Sequence, residues 1–399
     1  MSTTALYLLG AVNLGVGLYS LLSSIRYHRF AKHAPGDAGD DPSSAYRPSV
    51  ALLIPCCGEE EGLEENLRSL ASQDYQPLHL FFIVENESDS AVPVIRRVLE
   101  TERGPAEMVV AGPAHGRGQK VHNLLAGLRQ IRDAQVFAFA DSDGRTDSHW
   151  LAHLVSGLQQ PKVGVASSYR FYLPEPGCLA SLLRSAWNAG VLTLLGEHDR
   201  NFAWGGAMAI RREIFQQAKV EQAWQGALSD DYALTHAVRK SGYRVEFVPR
   251  SIVLSRGSVA FGELFRWCGR QMAITRVYWP NLWRIGGGSQ VAFVLFLILG
   301  SWAAVLGDMG LASLLSIVLL LSWVSGAIRA RAVRLFLPQW SDRLRRYDGS
   351  YAFLAPLASF LTVYGFLTSA LSRRIQWRGR IYEMRSPTET VIIESARGV

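Results

Sequence analysis

At 399 residues with 49% hydrophobic content, the chain has room for one core of roughly two hundred or more residues plus a membrane part, since single cores stop growing near ~250–300 residues. The formal charge of +7 does not point to nucleic acid, because the arginines gather at the edges of apolar runs, as they do on the cytoplasmic side of a membrane. Cys56, Cys57, Cys178 and Cys268 lack C-x-x-C spacing, so neither a zinc site nor a disulfide framework is indicated and they read as reduced, packed thiols.

Ala5 to Ile25 is uncharged, and Arg26, His28, Arg29 and Lys32 follow it. The run is long enough to span the ~30 Å hydrocarbon core, and its basic flank places residue 26 onward in the cytoplasm. With no Lys or Arg ahead of it, it reads as an anchor rather than a cleaved leader. Pro35 to Pro48, rich in Gly, Asp, Ser and Pro, is a linker.

From Ser49 the pattern alternates between strand and helix. Val50 to Pro55 is a short buried strand, Glu59 to Gln73 has the helical spacing of Leu63, Leu67 and Leu70, and Leu78 to Val84 is a second strand. This is a βαβ unit. The second strand runs into Glu85-Asn86-Glu87-Ser88-Asp89, polar groups at a strand end. A further repeat follows, with Met108 to Val110 as strand, the glycine-rich Gly116-Arg117-Gly118-Gln119-Lys120, and a helix from Val121 to Ile131. Lys120 and the amides at that helix start suit a phosphate, although a plain surface lysine looks the same.

The strand Val136 to Ala140 stops at Asp141-Ser142-Asp143. A buried apolar run ending in carboxylates delivers them to the edge where α/β sheets bind ligands. Two carboxylates one residue apart can hold Mg²⁺ or Mn²⁺ against a diphosphate, so a nucleotide-sugar is the ligand expected; solvated turn carboxylates would leave the same triplet. Val163 to Ser168 is another strand and Cys178 to Leu195 an amphipathic apolar helix. Gly205-Gly206 permit close approach of backbone to a ligand, or simply turn the chain into the next strand. Ser229-Asp230-Asp231 opens a helix that runs to Lys240, so its carboxylates are candidate catalytic groups and equally candidate caps.

Phe261 to Trp283 carries Trp267, Tyr278, Trp279 and Trp283 among arginines and reads as one interfacial helix. Val291 to Leu306 and Leu311 to Ile328 form a hairpin around Gly307-Asp308-Met309-Gly310, and Arg329, Arg331 and Arg334 return the chain to the cytoplasm. The last apolar run, Tyr351 to Leu371, brings a conflict. One crossing would put Arg373, Arg374, Arg378 and Arg380 outside, against the positive-inside tendency. The run is therefore expected to be re-entrant or strongly tilted in the interface, with the tail Gln376 to Tyr382 cytoplasmic.

Five short motifs occur in order: Lys120-Val121-His122-Asn123-Leu124, Asp141 with Asp143, Gly205 to Arg212, Asp230-Asp231-Tyr232, and Glu263-Leu264-Phe265-Arg266-Trp267. With the membrane segments around them, they make the chain resemble the inverting membrane glycosyltransferases of family 2 type, most closely the ceramide glucosyltransferase branch with its hopanoid-associated bacterial enzymes. The resemblance implies fold class α/β, with a GT-A domain, the Rossmann-like fold of nucleotide-diphospho-sugar transferases, inserted between transmembrane helices. It divides the chain into an anchor (1–30), a linker (31–48), the GT-A domain (49–257), interfacial helices with the R-W box (258–288), a C-terminal membrane region (289–385) and a tail (386–399).

Roles follow from the same resemblance. Asp141 and Asp143 position the nucleotide and its Mg²⁺ or Mn²⁺, with Asp143 the more direct ligand. Asp231 is the general base, with Asp230 beside it as the second catalytic position. Glu85, Asn86, Asp89, Lys120, Arg266 and Trp267 contact the donor, while Gly205, Gly206 and Trp267 face the acceptor. Inversion needs a carboxylate near the acceptor hydroxyl and opposite the leaving diphosphate. The reaction implied moves a hexose or N-acetylhexosamine from UDP-glucose or a UDP-hexosamine to the hydroxyl of a membrane lipid such as ceramide or a hopanoid. The partners expected are a nucleotide-sugar, a lipid acceptor and the bilayer, with no nucleic acid; the protein is expected in a bacterial inner membrane with its catalytic domain cytoplasmic.

Two alternatives stand beside this reading. A processive polysaccharide synthase needs a translocation pore, for which the spans are few, and a non-catalytic sugar-binding membrane protein has no need of Asp141, Asp143 and Asp231 intact. Two positions depart from the family pattern. Glu263 occupies the first box position, normally Gln or Arg, and Val84-Glu85-Asn86 stands where a strand-end aspartate is usual.

Overall fold

A computed structural model of the chain describes residues 2–34, 46–102 and 104–395. Residues 35–45 of the expected linker and the last four residues of the tail lie outside the described residues. The chain forms two compact units, one of Met1–Ala34, Tyr172–Leu194 and Ser258–Arg373, the other of Pro35–Phe171, Leu195–Gly257 and Arg374–Val399.

The second unit is built on a seven-stranded sheet. Its elements begin with β1 (Val50–Pro55), β2 (Leu78–Val84), β3 (Ala106–Val110) and β4 (Val136–Ala140). The helices α2 (Leu63–Ala71), α3 (Ala91–Thr101) and α4 (Gln119–Leu128) connect them, α1 (Thr3–His33) lying ahead in the other unit. After α5 (Trp150–Ser156) come β5 (Val163–Ser167) and β6 (Arg170–Tyr172). Past α6 (Leu179–Leu192) of the other unit, β7 (Ala207–Arg211), α7 (Arg212–Gln217), α8 (Val220–Trp224), α9 (Asp230–Lys240), β8 (Arg244–Phe247) and β9 (Val253–Ser255) complete this stretch.

The sheet order is β3-β2-β1-β4-β7-β5-β8, parallel except for β7, which runs antiparallel to β4 and β5. The apolar runs of β1 and β4 are what a strand covered on both faces requires: Leu52, Leu53, Ile54, Ala138 and Phe139 are all fully buried, and Leu52 stands in register with Leu80 on one side and Ala138 on the other. From β1 the chain winds outward through β2 and β3, then returns to place β4 on the opposite flank of β1. That reversal is a topological switch point, where the loops at the carboxyl ends of neighbouring strands part and leave a crevice. The Asp141-Ser142-Asp143 triplet leaves β4 at this crevice.

Helix α2 is shorter than the leucine spacing suggests. Gly62, at φ 77°, stands outside helical space and delays the start to Leu63. The chain also ends in strands that the hydropathy pattern did not signal. β10 (Arg374–Trp377), β11 (Arg380–Ser386) and β12 (Glu389–Ser395) form an antiparallel sheet within this unit.

The first unit consists of α1, α6, α10 (Phe261–Tyr278), α11 (Pro280–Val305), α12 (Met309–Phe336), α13 (Ser341–Arg345) and α14 (Asp348–Leu371). Among the described residues, α1, α11, α12 and α14 are long and apolar enough to cross a membrane. Leu8, Leu22, Ile298, Trp302, Phe353 and Leu367 lie exposed on them, a distribution suited to lipid rather than water. Inside, Phe296, Leu311, Leu315 and Val318 form a core, and Arg329 of α12 donates to Ser20 Oγ (2.6 Å) and Ser24 Oγ (3.1 Å) of α1.

Two expectations change here. The single interfacial helix from Phe261 to Trp283 is broken, because Pro280 has no amide to continue α10 and instead starts α11. Trp283 therefore belongs to α11. Helix α14 is continuous through Pro356 and Gly365, so the chain makes no re-entrant reversal there.

Candidate active site

The loop leaving β4 is held at its far end by β9: Arg145 N donates to Leu254 O (2.9 Å), and Ser255 Oγ donates to Asp143 O (3.1 Å). Arg170 of β6 then draws the two carboxylates together. Its Nη2 donates to Asp141 Oδ2 (3.0 Å), its Nη1 to Asp143 Oδ2 (2.9 Å), and Nη2 also pairs with Asp143 Oδ1. The guanidinium is only 9% exposed and lies 5.0 Å from the centre of the Trp204 ring. Burial opposes the charge of Asp143, yet Arg170 first, then Arg378 and Lys120, hold its carboxyl below the usual carboxylate range. Arg170 escapes a sequence reading because an arginine after an apolar strand resembles a surface residue; only its position between two carboxylates distinguishes it.

Lys120, in the first turn of α4, joins this pair to the start of α9. Its Nζ lies 2.8 Å from Asp141 Oδ1, 3.1 Å from Asp230 Oδ2 and 3.3 Å from Gly205 O. Packing fixes α9 against the strand: Phe139 of β4 meets the Trp224 ring edge-on at 5.6 Å, and Trp224 Nε1 donates to Asp230 O (2.9 Å). Asp231, the next residue, accepts from Gly205 N (3.2 Å) through Oδ2 and from Tyr232 N (2.7 Å) and Ser229 Oγ through Oδ1. Thus Ser229 caps the helix, while Asp231 is steered toward Gly205.

The paired glycines are explained by the site's own side chains. A Cβ on Gly205 would collide with the Asp230 carboxylate and reach within 2.7 Å of Lys120 Nζ, and one on Gly206 would collide with the Trp204 ring and approach Asp141 Oδ2 to 2.6 Å. Without side chains, this turn lets the charged groups close together.

One lysine cannot neutralise every carboxylate around it. Burial lowers the tendency of Lys120 to carry charge, but Asp141, Asp230 and Asp231 together outweigh it and raise its pKa. Asp230 is the group that resists ionising. Burial, aided by repulsion from Asp231 and Asp141 and opposed by Lys120, pushes its carboxyl up to about 6.

At the end of β2 the three expected donor contacts separate. Asn86 Oδ1 accepts from Ser88 N (3.0 Å) and closes its own turn. Asp89 Oδ1 accepts from Gly58 N (2.8 Å) and Ala91 N (2.9 Å), tying the loop after β1 to the start of α3. Glu85 pairs with Arg380 of β11 at 2.5 Å and borders a cavity of about 550 Å³ with residues 113–116 and 390–392.

Arg266 and Trp267 lie on α10, in the helical unit. Arg266 is exposed; Trp267 packs edge-on against Trp187 (4.9 Å) and Tyr172 (5.6 Å). Glu263 has a local task, since its carboxylate accepts from Ala260 N (3.1 Å) and closes the first turn of α10.

The acidic loop suits a hard divalent ion. Among the described residues no group of three or more His, Cys, Asp and Glu converges. An ion that draws its other ligands from a diphosphate and water needs only one or two carboxylates, and Asp141 and Asp143 already face one cation, the Arg170 guanidinium.

The sequence model of glycosyl transferase family 21 matches residues 7–390. An N-acetylglucosaminyltransferase of Mesorhizobium japonicum is 25% identical over 62% of this chain and 62% of its own length. Ceramide glucosyltransferase 3 of Caenorhabditis elegans is 19% identical over 57% of this chain and 51% of its own, and the probable glycosyltransferase YdaM of Bacillus subtilis 24% identical over 63% and 57%. The chain thus spans between 51% and 62% of the length of these curated relatives. Among solved structures, a mannosyltransferase from Pyrobaculum calidifontis in complex with GDP-Man and Mn²⁺ aligns over 91% of this chain and 98% of its own, at 19% identity and a TM-score of 0.48.

Proposed function

The chain belongs to glycosyl transferase family 21, whose pattern runs through residues 7–390, and from that premise we propose that it is an inverting glycosyltransferase moving a hexose or N-acetylhexosamine from a nucleotide-sugar to the hydroxyl of a membrane lipid. The observation that carries the reading is the convergence on Lys120 Nζ, 2.8 Å from Asp141 at the end of β4 and 3.1 Å from Asp230 at the start of α9. Two acidic motifs distant in the chain meet at one half-buried cation, as a donor-binding carboxylate and a base must meet across a reacting carbon.

In this reading Asp231 takes the proton of the acceptor hydroxyl. Gly205 N and Tyr232 N orient its carboxylate. Asp141 and Asp143 are the residues that would hold Mg²⁺ or Mn²⁺, and that ion when bound supplies charge stabilisation for the departing diphosphate. Lys120 offsets the negative charge of the cluster, and Arg170 keeps the two metal-side carboxylates convergent. The four long apolar helices support a lipid acceptor, as does the likeness to a ceramide glucosyltransferase; the likeness to an N-acetylglucosaminyltransferase keeps a hexosamine donor in view. The basic flank Arg26, Arg29 and Lys32 of α1 supports a cytoplasmic catalytic unit, and a bacterial inner membrane suits it.

The test is transfer from a panel of radiolabelled nucleotide-sugars into extracted lipid by membranes carrying the protein, with Mn²⁺ or Mg²⁺ present or chelated. One sugar should enter a chloroform-soluble product, and Asp231→Asn should lower the rate by about 10²–10⁴-fold, the usual share of a general base. Label found only in a long water-soluble polymer would replace this reading with a processive synthase, and unimpaired transfer by Asp231→Asn would remove Asp231 from the mechanism.

A further inference from the structure

The strands β10–β12 lie in the same compact unit as the parallel sheet, and their first turn brings two arginines to its carboxyl edge. Trp377 pairs with Arg380, so only Arg378 and Gly379 form the turn, at φ 49° and φ 72°. Two-residue hairpins of this kind favour asparagine or glycine at both places, and a long L side chain at the first is held against its backbone preference. What the turn carries there is a guanidinium. Arg378 pairs with Glu60, in the loop following β1.

The neighbouring residues seat the turn firmly. Arg380 is 15% exposed and pairs with Glu85 at 2.5 Å. It also donates to Gln119 Oε1 (2.7 Å), and the Tyr382 hydroxyl accepts from Gln119 N (3.4 Å), at the first residue of α4. The cavity of about 550 Å³ beside Arg380 and Glu85 has the size of a small-molecule site. The turn and the start of β11 therefore touch the loop after β1, the residue following β2 and the first residue of α4, all on the carboxyl side of the sheet.

The cations of this crevice are not equally committed. Lys120 is half-buried and Arg170 buried, and each is shared by two aspartates. Arg378 is held by Glu60 with both side chains more than a third exposed, 38% and 39%. Such a pair contributes little and exchanges readily for a better anion, and a diphosphate offers the planar fork of arginine two hydrogen bonds at once.

We propose that the β10–β11 turn is a working part of the donor site, in which Arg378 leaves Glu60 to bind the diphosphate of the nucleotide-sugar. The proposal rests on the donor reading above and adds to it a cation supplied by the C-terminal strands. Arg380 and Tyr382 are positioning residues for it.

The experiment measures equilibrium binding of UDP and GDP, with Mn²⁺ present, to the purified full chain in detergent by calorimetry, alongside its melting temperature. Arg378→Asn and Arg378→Gly both suit a left-handed turn, so each should melt at or above the wild-type temperature yet bind the preferred nucleotide about tenfold or more weakly, as expected for loss of a charge-assisted pair. Glu60→Gln, which releases Arg378, should bind at least as tightly as wild type. Unchanged affinity in both Arg378 variants overturns the proposal. So does an equal loss in Glu60→Gln, which would make the ion pair a structural clasp. If the wild-type chain binds neither UDP nor GDP while Arg378 variants remain folded, the donor reading fails and takes this inference with it.

Discussion

Asp230 is 3% exposed and shares Lys120 with Asp141, and its proton affinity has a consequence for stability. Its carboxyl, raised from 3.8 to about 6 in the folded chain, keeps a proton that the unfolded chain has released between those values. This group therefore favours the fold below about pH 4, and its contribution declines as pH rises to about 6, by on the order of 3 kcal/mol. Asp230→Asn removes that titration. The melting temperature of the variant minus that of the wild type should climb between pH 4 and pH 6 and level off above it; a difference independent of pH would contradict the raised value. Arg170 makes a second residue-scale prediction. Arg170→Ala leaves Asp141 and Asp143 facing each other without their guanidinium, a loss of about 2–3 kcal/mol for a partly exposed site, below the range for fully buried pairs. Millimolar Mn²⁺ should then raise the melting temperature of the variant by more than it raises that of the wild type. Equal shifts would mean that the ion does not bind between these carboxylates.

At the scale of elements, α14 shows how connectivity decides what composition leaves open. By length and hydropathy it qualifies as a span. Yet the chain leaves the sheet unit after Gly257 and rejoins it at Arg374, and the two ends of that excursion must lie on one side of the membrane. Helices α11 and α12 supply two crossings; a third by α14 would strand β10–β12 on the opposite side from the compact unit they belong to. Helix α14 is accordingly expected to lie tilted in the interface, the alternative left once its continuous backbone has removed a re-entrant loop. Membrane-impermeant labelling should find a cysteine placed at Asp74, 70% exposed in the sheet unit, and a tag after Val399 on the same side. Labelling from opposite sides would show that α14 crosses. Glu263 teaches the same lesson in reverse: what looked like a departure in a donor-binding box closes the first turn of its own helix.

The whole molecule joins a Rossmann-like α/β unit to a bundle of apolar helices, and its chain order does not follow that division. Residues 172–194 leave the sheet unit to pack among the helices, where Trp187 Nε1 donates to Thr362 Oγ1 (2.9 Å), and the last strands return to the sheet unit as a small sheet of their own. Much was legible without the fold. Apolar runs announced β1, β2 and β4 because strands covered on both faces have no choice of polarity; Asp141 and Asp143 stood out at the end of such a run, and Lys120, Asp230 and Asp231 at helix starts. The length of the uncharged stretches announced the long apolar helices in the same way. Arg170, Arg378 and Arg380 were not legible, nor was the division of labour among Glu85, Asn86 and Asp89. A run of residues records what is buried along one element, since burial is a property of neighbours in sequence and of period. Which charge faces which is settled between elements, by strand order and the packing of Phe139 on Trp224, and at that range electrostatics depends on distances of a few ångströms that only the tertiary structure sets.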